Sequence, residues 1–224
     1  MSFNIFNWDL ENFDLFPDFD HHLSEVHSQD IFHNGLHIED QNMYEGYTGN
    51  LVGDPGFDAT HFHHQSYDNT CAIVAQQGIL ESHGIFASEH ELMRIAAEHG
   101  WFSTDGTVMH DMGKLLEHFG IQVEYNSNAS IHDLVNELSH GDKVIVGLDA
   151  SEIWTPQHNG DLLNWYAAEL PDKGHAVWVT GVDLEHGVVY MNDSGIADGA
   201  ARPVAINDFM NAWEDFGNNY CTTA

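Results

Sequence analysis

Two β-branched, apolar runs near the end of the chain constrain the fold most, because only four residues separate them. The runs are "HAVWVTGVD", residues 175–183, and "VVYMND", residues 188–193, and "LEHG" connects them. A link this short joins antiparallel strands, whereas parallel strands need a crossover of about a dozen residues or more. The sequence therefore predicts an antiparallel β-hairpin.

Helical patterns precede this hairpin. "CAIVAQQGILES" follows two candidate caps, Asn69 and Thr70, and "SEHELMRIAAEHG" opens with a capping box formed by Ser88 and Glu91. "GTVMHDMGKLLEHFG" and "SIHDLVNELSHG" predict two more helices, and "IQVEY" and "KVIVGLD" predict strands. Helices followed by antiparallel strands indicate an α+β fold rather than alternating βαβ units.

The first fifty residues differ from the rest. Eight large apolar side chains occur among the first sixteen residues, interleaved with Asn, Asp and Glu, and neither a helical nor a strand period is sustained. "EGYTGNLVGDPGF" then has the composition of loop and turn. We predict an N-terminal extension, residues 1–50, that packs on or regulates a domain spanning residues 51–224. A disordered tail is the alternative, although its apolar content disfavours it.

The charge of the chain limits its partners. It carries 36 acidic against 5 basic residues, a net charge of -31. Nucleic acids and anionic membrane surfaces are therefore unexpected partners, because both are bound through clustered Lys and Arg. A cationic partner, a salty milieu and simple solubility all agree with this charge.

Cellular location is predicted from what the sequence lacks. It has no apolar run of about 18 residues, and the start "MSFNIFNWDLENFDLF" lacks the basic and apolar regions of a secretory signal. Two cysteines, Cys71 and Cys221, do not make a disulfide framework. We expect a cytoplasmic protein, with signal-independent export left open.

Cys71 is the first candidate for chemistry. It lies in the first turn of a predicted helix, where backbone N–H groups and the helix dipole favour a thiolate. Gln65, six residues earlier, could offer an amide to an oxyanion. A lone cysteine at such a position is more often structural, so the prediction depends on an imidazole and an orienting group elsewhere.

His175, which opens the first strand of the hairpin, is the candidate imidazole. If Asp183 pairs with Gly187, then Asp193 lies opposite Val177 and on the same face of the hairpin as His175. A slip of one residue would place Asn192 there instead. The parity favours Asp193 as the orienting group.

Three segments together resemble the papain-like cysteine peptidases: "QSYDNTCAIVAQQ", "KGHAVWVTGVD" and "VVYMNDSG". The closest match is the bacterial branch of bacteriocin-processing, double-glycine peptidases, over roughly residues 52–215. The resemblance implies that Gln65 is the oxyanion-hole glutamine, Cys71 the nucleophile, His175 the general base and Asp193 the orienting acid. Members of this branch are commonly fused to transporters or secreted, and the acidic extension is not part of their pattern.

This resemblance implies a papain-like fold and hydrolysis of a peptide or amide bond in a peptide or protein substrate, without a cofactor. An acyl or peptide transferase would use the same residues. A different class of function is also open: a non-catalytic binding module that docks a cationic partner.

Other residues have competing interpretations. "HFHH" places His61 and His63 on one face of an extended segment, but no further spacing typical of a zinc site accompanies them, so no metal is expected. Cys221, in the polar tail "NNYCTTA", is interpreted as a spectator thiol. Four tryptophans could line a cleft or belong to the core: Trp101, Trp154, Trp165 and Trp178.

Overall fold

A computed structural model of the chain describes residues 51–154 and 174–224. The predicted extension, residues 1–50, and Trp165 lie outside the described residues. The helices are α1 (Pro55–Asp58), α2 (Cys71–Ser82), α3 (Glu89–Glu98), α4 (Lys114–His118), α5 (Ile131–His140), α6 (Ala150–Trp154) and α7 (Ile206–Glu214). The strands are β1 (Leu51–Gly53), β2 (Val123–Asn126), β3 (Val144–Asp149), β4 (Gly174–Asp183), β5 (Val188–Asn192), β6 (Arg202–Ala205) and β7 (Tyr220–Thr223).

Among the described residues, seven strands form one antiparallel sheet. Six of them follow the order β2-β7-β3-β4-β5-β6, and β1 pairs with the C-terminal end of β4. The predicted hairpin is β4–β5 at the centre of this sheet. The fold class predicted from the sequence, α+β with antiparallel strands, is thus confirmed.

Helices cover both faces of the sheet. Every residue of β3 is buried, which requires cover above and below a strand. One face packs against α2, α3 and α4 through a shared core, and α7 packs on β3, β5 and β6. The largest members of that core are Ile73, Ile79, Leu80, Leu92, Leu115, Leu116, Ile145 and Trp178. This core fixes α2, and with it Cys71, against β3 and β4.

Most of the predicted helices begin where their caps indicate. Helix α2 begins at Cys71, and Ser88 accepts the N–H of Glu91 at 3.2 Å to cap α3. The predicted third helix is wrong in its extent, because the segment "GTVMHDMGKLLEHFG" forms a 3₁₀ turn and only then α4. Gly113 separates the two, and a Cβ there would come within 2.6 Å of the Val123 side chain.

Two segments predicted as irregular are strands. Residues 51–53, interpreted as part of a loop, pair with β4, and the polar tail around Cys221 forms β7. Strand β7 lies between β2 and β3 and all four of its residues are buried. The hydroxyls of its two Thr residues are polar, but these β-branched side chains and the aromatic Tyr220 favour a strand. In the two described ranges, no helix has the length and apolarity needed to cross a bilayer.

Candidate active site

Cys71 lies at the junction between a loop and the core. It is the first residue of α2 and is partly exposed, and its Sγ accepts the backbone N–H of Ala176 at 3.4 Å. Thr70 occupies the cap position, but its hydroxyl bonds the carboxylate of Glu89 at 2.6 Å instead of capping the helix. Glu89 also accepts the backbone N–H of Ser66 at 3.0 Å, so one side chain of α3 anchors the loop that leads to Cys71.

His175 and Asp193 lie beside Cys71. Strand β4 carries His175 as its second residue, and its Nε2 donates to Oδ1 of Asp193 at 2.7 Å. The other ring nitrogen, Nδ1, is left for Cys71, whose pKa this imidazole lowers. His175 and Asp193 are both buried, with 6% and 0% of their surfaces exposed. Three of the four predicted site residues therefore lie together: Cys71 accepts the N–H of the residue next to His175, and His175 bonds Asp193.

The strand pairing that produces this arrangement differs from the one predicted from the sequence. Asp183 pairs with Val188, whereas Gly187 was the expected partner. A β-bulge at Thr180 then adds one residue to β4. This extra residue cancels the shift of one residue at the turn, so the predicted register holds at the end nearest His175.

The bulge decides which polar residue faces the imidazole. Beyond it, Asn192 lies opposite Trp178, on the face of the sheet away from His175. The Asn192 amide donates to the carbonyl of Asp58 at 2.8 Å and accepts the N–H of Ala201 at 2.9 Å. Without the bulge, the residues of β5 beyond it, Met191 and Asn192, and Asp193 after them, would change faces relative to β4.

The electrostatics of this site favour an ion pair. Burial opposes the thiolate of Cys71, but the hydrogen bond and charge of His175 and the amides of Ala176 and Ala72 outweigh it, so the pKa of Cys71 lies below its usual value. Burial likewise opposes the imidazolium, but Asp193 and the thiolate raise the pKa of His175 to about 9. Between these two values the pair exists mainly as thiolate and imidazolium.

Asp193 has partners that sequence reasoning missed. Its Oδ2 accepts the indole Nε1 of Trp154 at 2.8 Å and the guanidinium of Arg202 at 3.0 Å, and its Oδ1 also accepts the N–H of Gly195 at 3.1 Å. The rings of Trp154 and His175 meet edge to face with centroids 5.1 Å apart. The sequence contains only five Lys and Arg residues, so the charge of Arg202 could have singled it out. Its closeness to Asp193 is not visible in the sequence.

Gln65 is joined to the site through Ser194. The backbone N–H of Gln65 donates to the Ser194 carbonyl at 2.9 Å, and its Oε1 accepts the Ser194 hydroxyl at 2.9 Å. Its Nε2 donates to the carbonyl of Tyr67 at 2.8 Å. Because a carboxamide carries two N–H groups, one remains after this bond for a ligand.

Cys221 differs from Cys71 in its burial and in its pKa. Cys221 is 1% exposed in β7 and is not bonded to Cys71. Burial raises the pKa of Cys221 to about 12. It is a core thiol rather than part of a polar tail.

The other residues that the sequence offered as metal ligands or cleft-lining side chains have different surroundings. His63 pairs with Glu81 at 2.8 Å, and the ring of His61 contacts Phe57. No group of three or more His, Cys, Asp or Glu in residues 51–154 and 174–224 is placed to hold a metal ion. Trp154 contacts His175, whereas Trp178 is buried in the core.

A family model matches residues 41–221 of this chain, and its description is the Peptidase_C39-like family. The chain belongs to this family. The resemblance noted from the sequence is therefore confirmed at the level of the C39 branch. An uncharacterized protein of Mycobacterium bovis and one of Mycobacterium tuberculosis are each 31% identical to this C39-like chain over 193 residues, covering 74% of this chain and 81% of theirs.

Solved structures place the C39-like chain in the papain-like fold. A Bacillus anthracis protein described as a C39-like peptidase superposes with a TM-score of 0.57 at 16% identity, covering 78% of this chain and 97% of the other. The peptidase domain of Streptococcus ComA, a bifunctional ABC transporter of a quorum-sensing pathway, superposes with a TM-score of 0.51 at 14% identity, covering 73% and 96%. At these identities the likeness concerns the fold.

Proposed function

We propose that this C39-like protein is a cysteine peptidase that hydrolyses a peptide or amide bond through an acyl-enzyme. The observation that carries the proposal is the grouping of Cys71 at the start of α2 with His175 and Asp193, in which the lowered pKa of Cys71 and the raised pKa of His175 favour a thiolate–imidazolium pair. A thiolate at a helix N-terminus, paired with an oriented imidazole, is the arrangement of an activated sulfur nucleophile.

The reaction has two halves. The Cys71 thiolate attacks the carbonyl carbon of a peptide, forming a C–S bond and an oxyanion. The imidazolium of His175 gives its proton to the leaving amine as the C–N bond breaks, leaving a thioester. Neutral His175 then takes a proton from water, which attacks the thioester and releases the acid and the Cys71 thiolate.

Asp193 and Gln65 have supporting roles in this reaction. The carboxylate of Asp193 holds the imidazole through Nε2, which leaves Nδ1 directed at the sulfur. The free N–H of Gln65, together with the backbone N–H of Cys71 at the start of α2, would donate to the oxyanion.

The alternative functions differ in what they require. Transfer of the acyl group to an amine uses the same residues, and only the acceptor distinguishes it from hydrolysis. A binding module that docks a cationic partner has no need of a buried imidazolium beside a thiolate. The geometry of Cys71 and His175 therefore favours catalysis.

The direct test is cleavage of an unbiased peptide library, with products read by mass spectrometry. We expect cleavage by the wild type that disappears as iodoacetamide modifies one equivalent of Cys71. Cys71→Ala supplies the background, and Cys221→Ala, which keeps the nucleophile, is the matched control and should still cleave. Cleavage by Cys71→Ala equal to that of the wild type would refute the proposal. Products joined to added amines would identify a transferase.

Gln65→Ala should lower kcat by roughly 10²-fold, the usual loss when one oxyanion donor is removed. The alkylation rate of Cys71 should stay close to that of the wild type, because Gln65 does not contribute to the ion pair. Gln65→Glu is the matched variant, since it keeps the shape and the Ser194 contact but removes the donor, and it should be as slow. Unchanged kcat in both variants would show that Gln65 only holds the loop.

A further inference from the structure

The side chain of Arg202 connects Asp193 of the site to helix α6. One guanidinium nitrogen bonds Oδ2 of Asp193 at 3.0 Å, and the other donates to the carbonyl of Ile153 in α6 at 2.6 Å. The side chain is 22% exposed, and the carboxylate that it contacts is fully buried. Arginine suits this position because its rigid fork reaches two acceptors at once, which a lysine ammonium does not reproduce.

The chain between Asp193 and Arg202 folds back on itself to make this contact. The N–H of Asp193 donates to the carbonyl of Gly199 at 2.9 Å. Ala201 has a φ of 44°, a conformation that non-glycine residues avoid, and Asn192 holds it by accepting its N–H at 2.9 Å. Thus Asn192, although it faces away from the imidazole, fixes the backbone from which Arg202 reaches Asp193.

Charge near the imidazole comes from few groups. Cys71 from α2 and Asp193 after β5 both stabilise the imidazolium, and Leu148 of β3 lies opposite His175. The next residue of β3, Asp149, is a buried carboxylate that binds Ser151. The other cations in the described parts of the chain pair with carboxylates elsewhere: Arg94 with Glu98, Lys114 with Glu117 and Lys143 with Asp58.

We propose that Arg202 is a positioning residue for the Cys71–His175 pair, fixing the carboxylate of Asp193 and limiting how strongly that carboxylate raises the basicity of His175. Its guanidinium draws negative charge from Oδ2, so the imidazolium loses its proton at a lower pH than it would beside an uncompensated carboxylate. An imidazolium that releases its proton more readily is a better acid toward the leaving amine. The kinetic part of this proposal rests on the peptidase function proposed above, whereas the effect on His175 does not.

Arg202→Gln tests the proposal, because Gln keeps a hydrogen-bond donor and removes the charge. We expect the pKa of His175, measured by NMR titration of protein with ¹³C-labelled histidine, to rise by about one unit, a tenfold change in proton affinity. The His175 signal is assigned by its loss in His175→Ala. Arg202→Lys keeps the charge, and its His175 pKa should stay within a few tenths of a unit of the wild-type value. Arg94→Gln removes the same charge from an exposed helix surface and should leave the pKa of His175 unchanged.

The titration uses no substrate, so it gives its answer even for a protein that cleaves no peptide. An unchanged pKa of His175 in Arg202→Gln, or an equal rise in Arg94→Gln, would overturn the proposal. If Arg202→Gln does not fold, Arg202→Met, which keeps the length of the side chain and also removes the charge, should raise the pKa of His175; no rise there would also overturn the proposal. Where peptides are cleaved, the alkaline limb of kcat/KM should move to higher pH in Arg202→Gln.

Discussion

Asp193→Ala should lower kcat/KM by about 10³–10⁴-fold, whereas Asn192→Ala should lower it by less than tenfold. The carboxylate holds the ring of His175 through Nε2 at 2.7 Å and stabilises its positive charge, and loss of an orienting carboxylate costs about this much in related triads. Asn192 instead bonds Asp58 and Ala201. Its removal should cost about 2 kcal/mol of stability, because it leaves buried backbone groups unpaired.

Steady-state kinetics and denaturant unfolding of the two neighbouring variants separate orientation from stability. Asp193→Asn is the sharper variant, because it preserves shape and removes only the charge. We expect it to be nearly as slow as Asp193→Ala, since a neutral amide stabilises the imidazolium less. If Asn192→Ala proved the slower enzyme, the hairpin register, and with it the role of the Thr180 bulge, would be wrong.

Iodoacetamide should modify Cys71 at least about 10³-fold faster than Cys221 near pH 7 in the folded protein. The pKa of Cys71 lies below the usual range, and that of Cys221 is raised to about 12, so their thiolate fractions differ by several orders of magnitude. A thiolate of low pKa is intrinsically less nucleophilic, which offsets part of this difference. Cys221 is also 1% exposed, which blocks the reagent.

The pH profile of this alkylation reports the ion pair. For wild type, the rate should decline as the pH falls through the pKa of Cys71, which lies below that of an ordinary thiol. His175→Ala removes the imidazolium, so the whole curve should move to higher pH. Peptide mapping by mass spectrometry gives both rates in one experiment. Equal modification of the two cysteines in folded protein would exclude a Cys71 thiolate.

The local parts of this protein could be predicted from the amino-acid sequence. Helical periodicity and candidate caps placed Cys71 at the start of α2, and the short "LEHG" link predicted the antiparallel pairing of β4 and β5. The motifs around Cys71 and His175 were specific enough to indicate the C39 branch, which the family model confirms. The helix start and the hairpin depend on residues close together in the chain, so periodicity and spacing carry them, whereas the branch was indicated by a resemblance.

Which side chains meet in the site depends on long-range packing, which local patterns do not contain. The turn of the hairpin is shifted by one residue and the bulge at Thr180 restores the register, so the choice of Asp193 over Asn192 depends on two irregularities that sequence parity does not contain. Strand β7 was missed because its place between β2 and β3, not its own pattern, makes it a buried strand. Arg202 reaches Asp193 through a turn held at Ala201, and an ion pair formed this way depends on packing rather than on any local period.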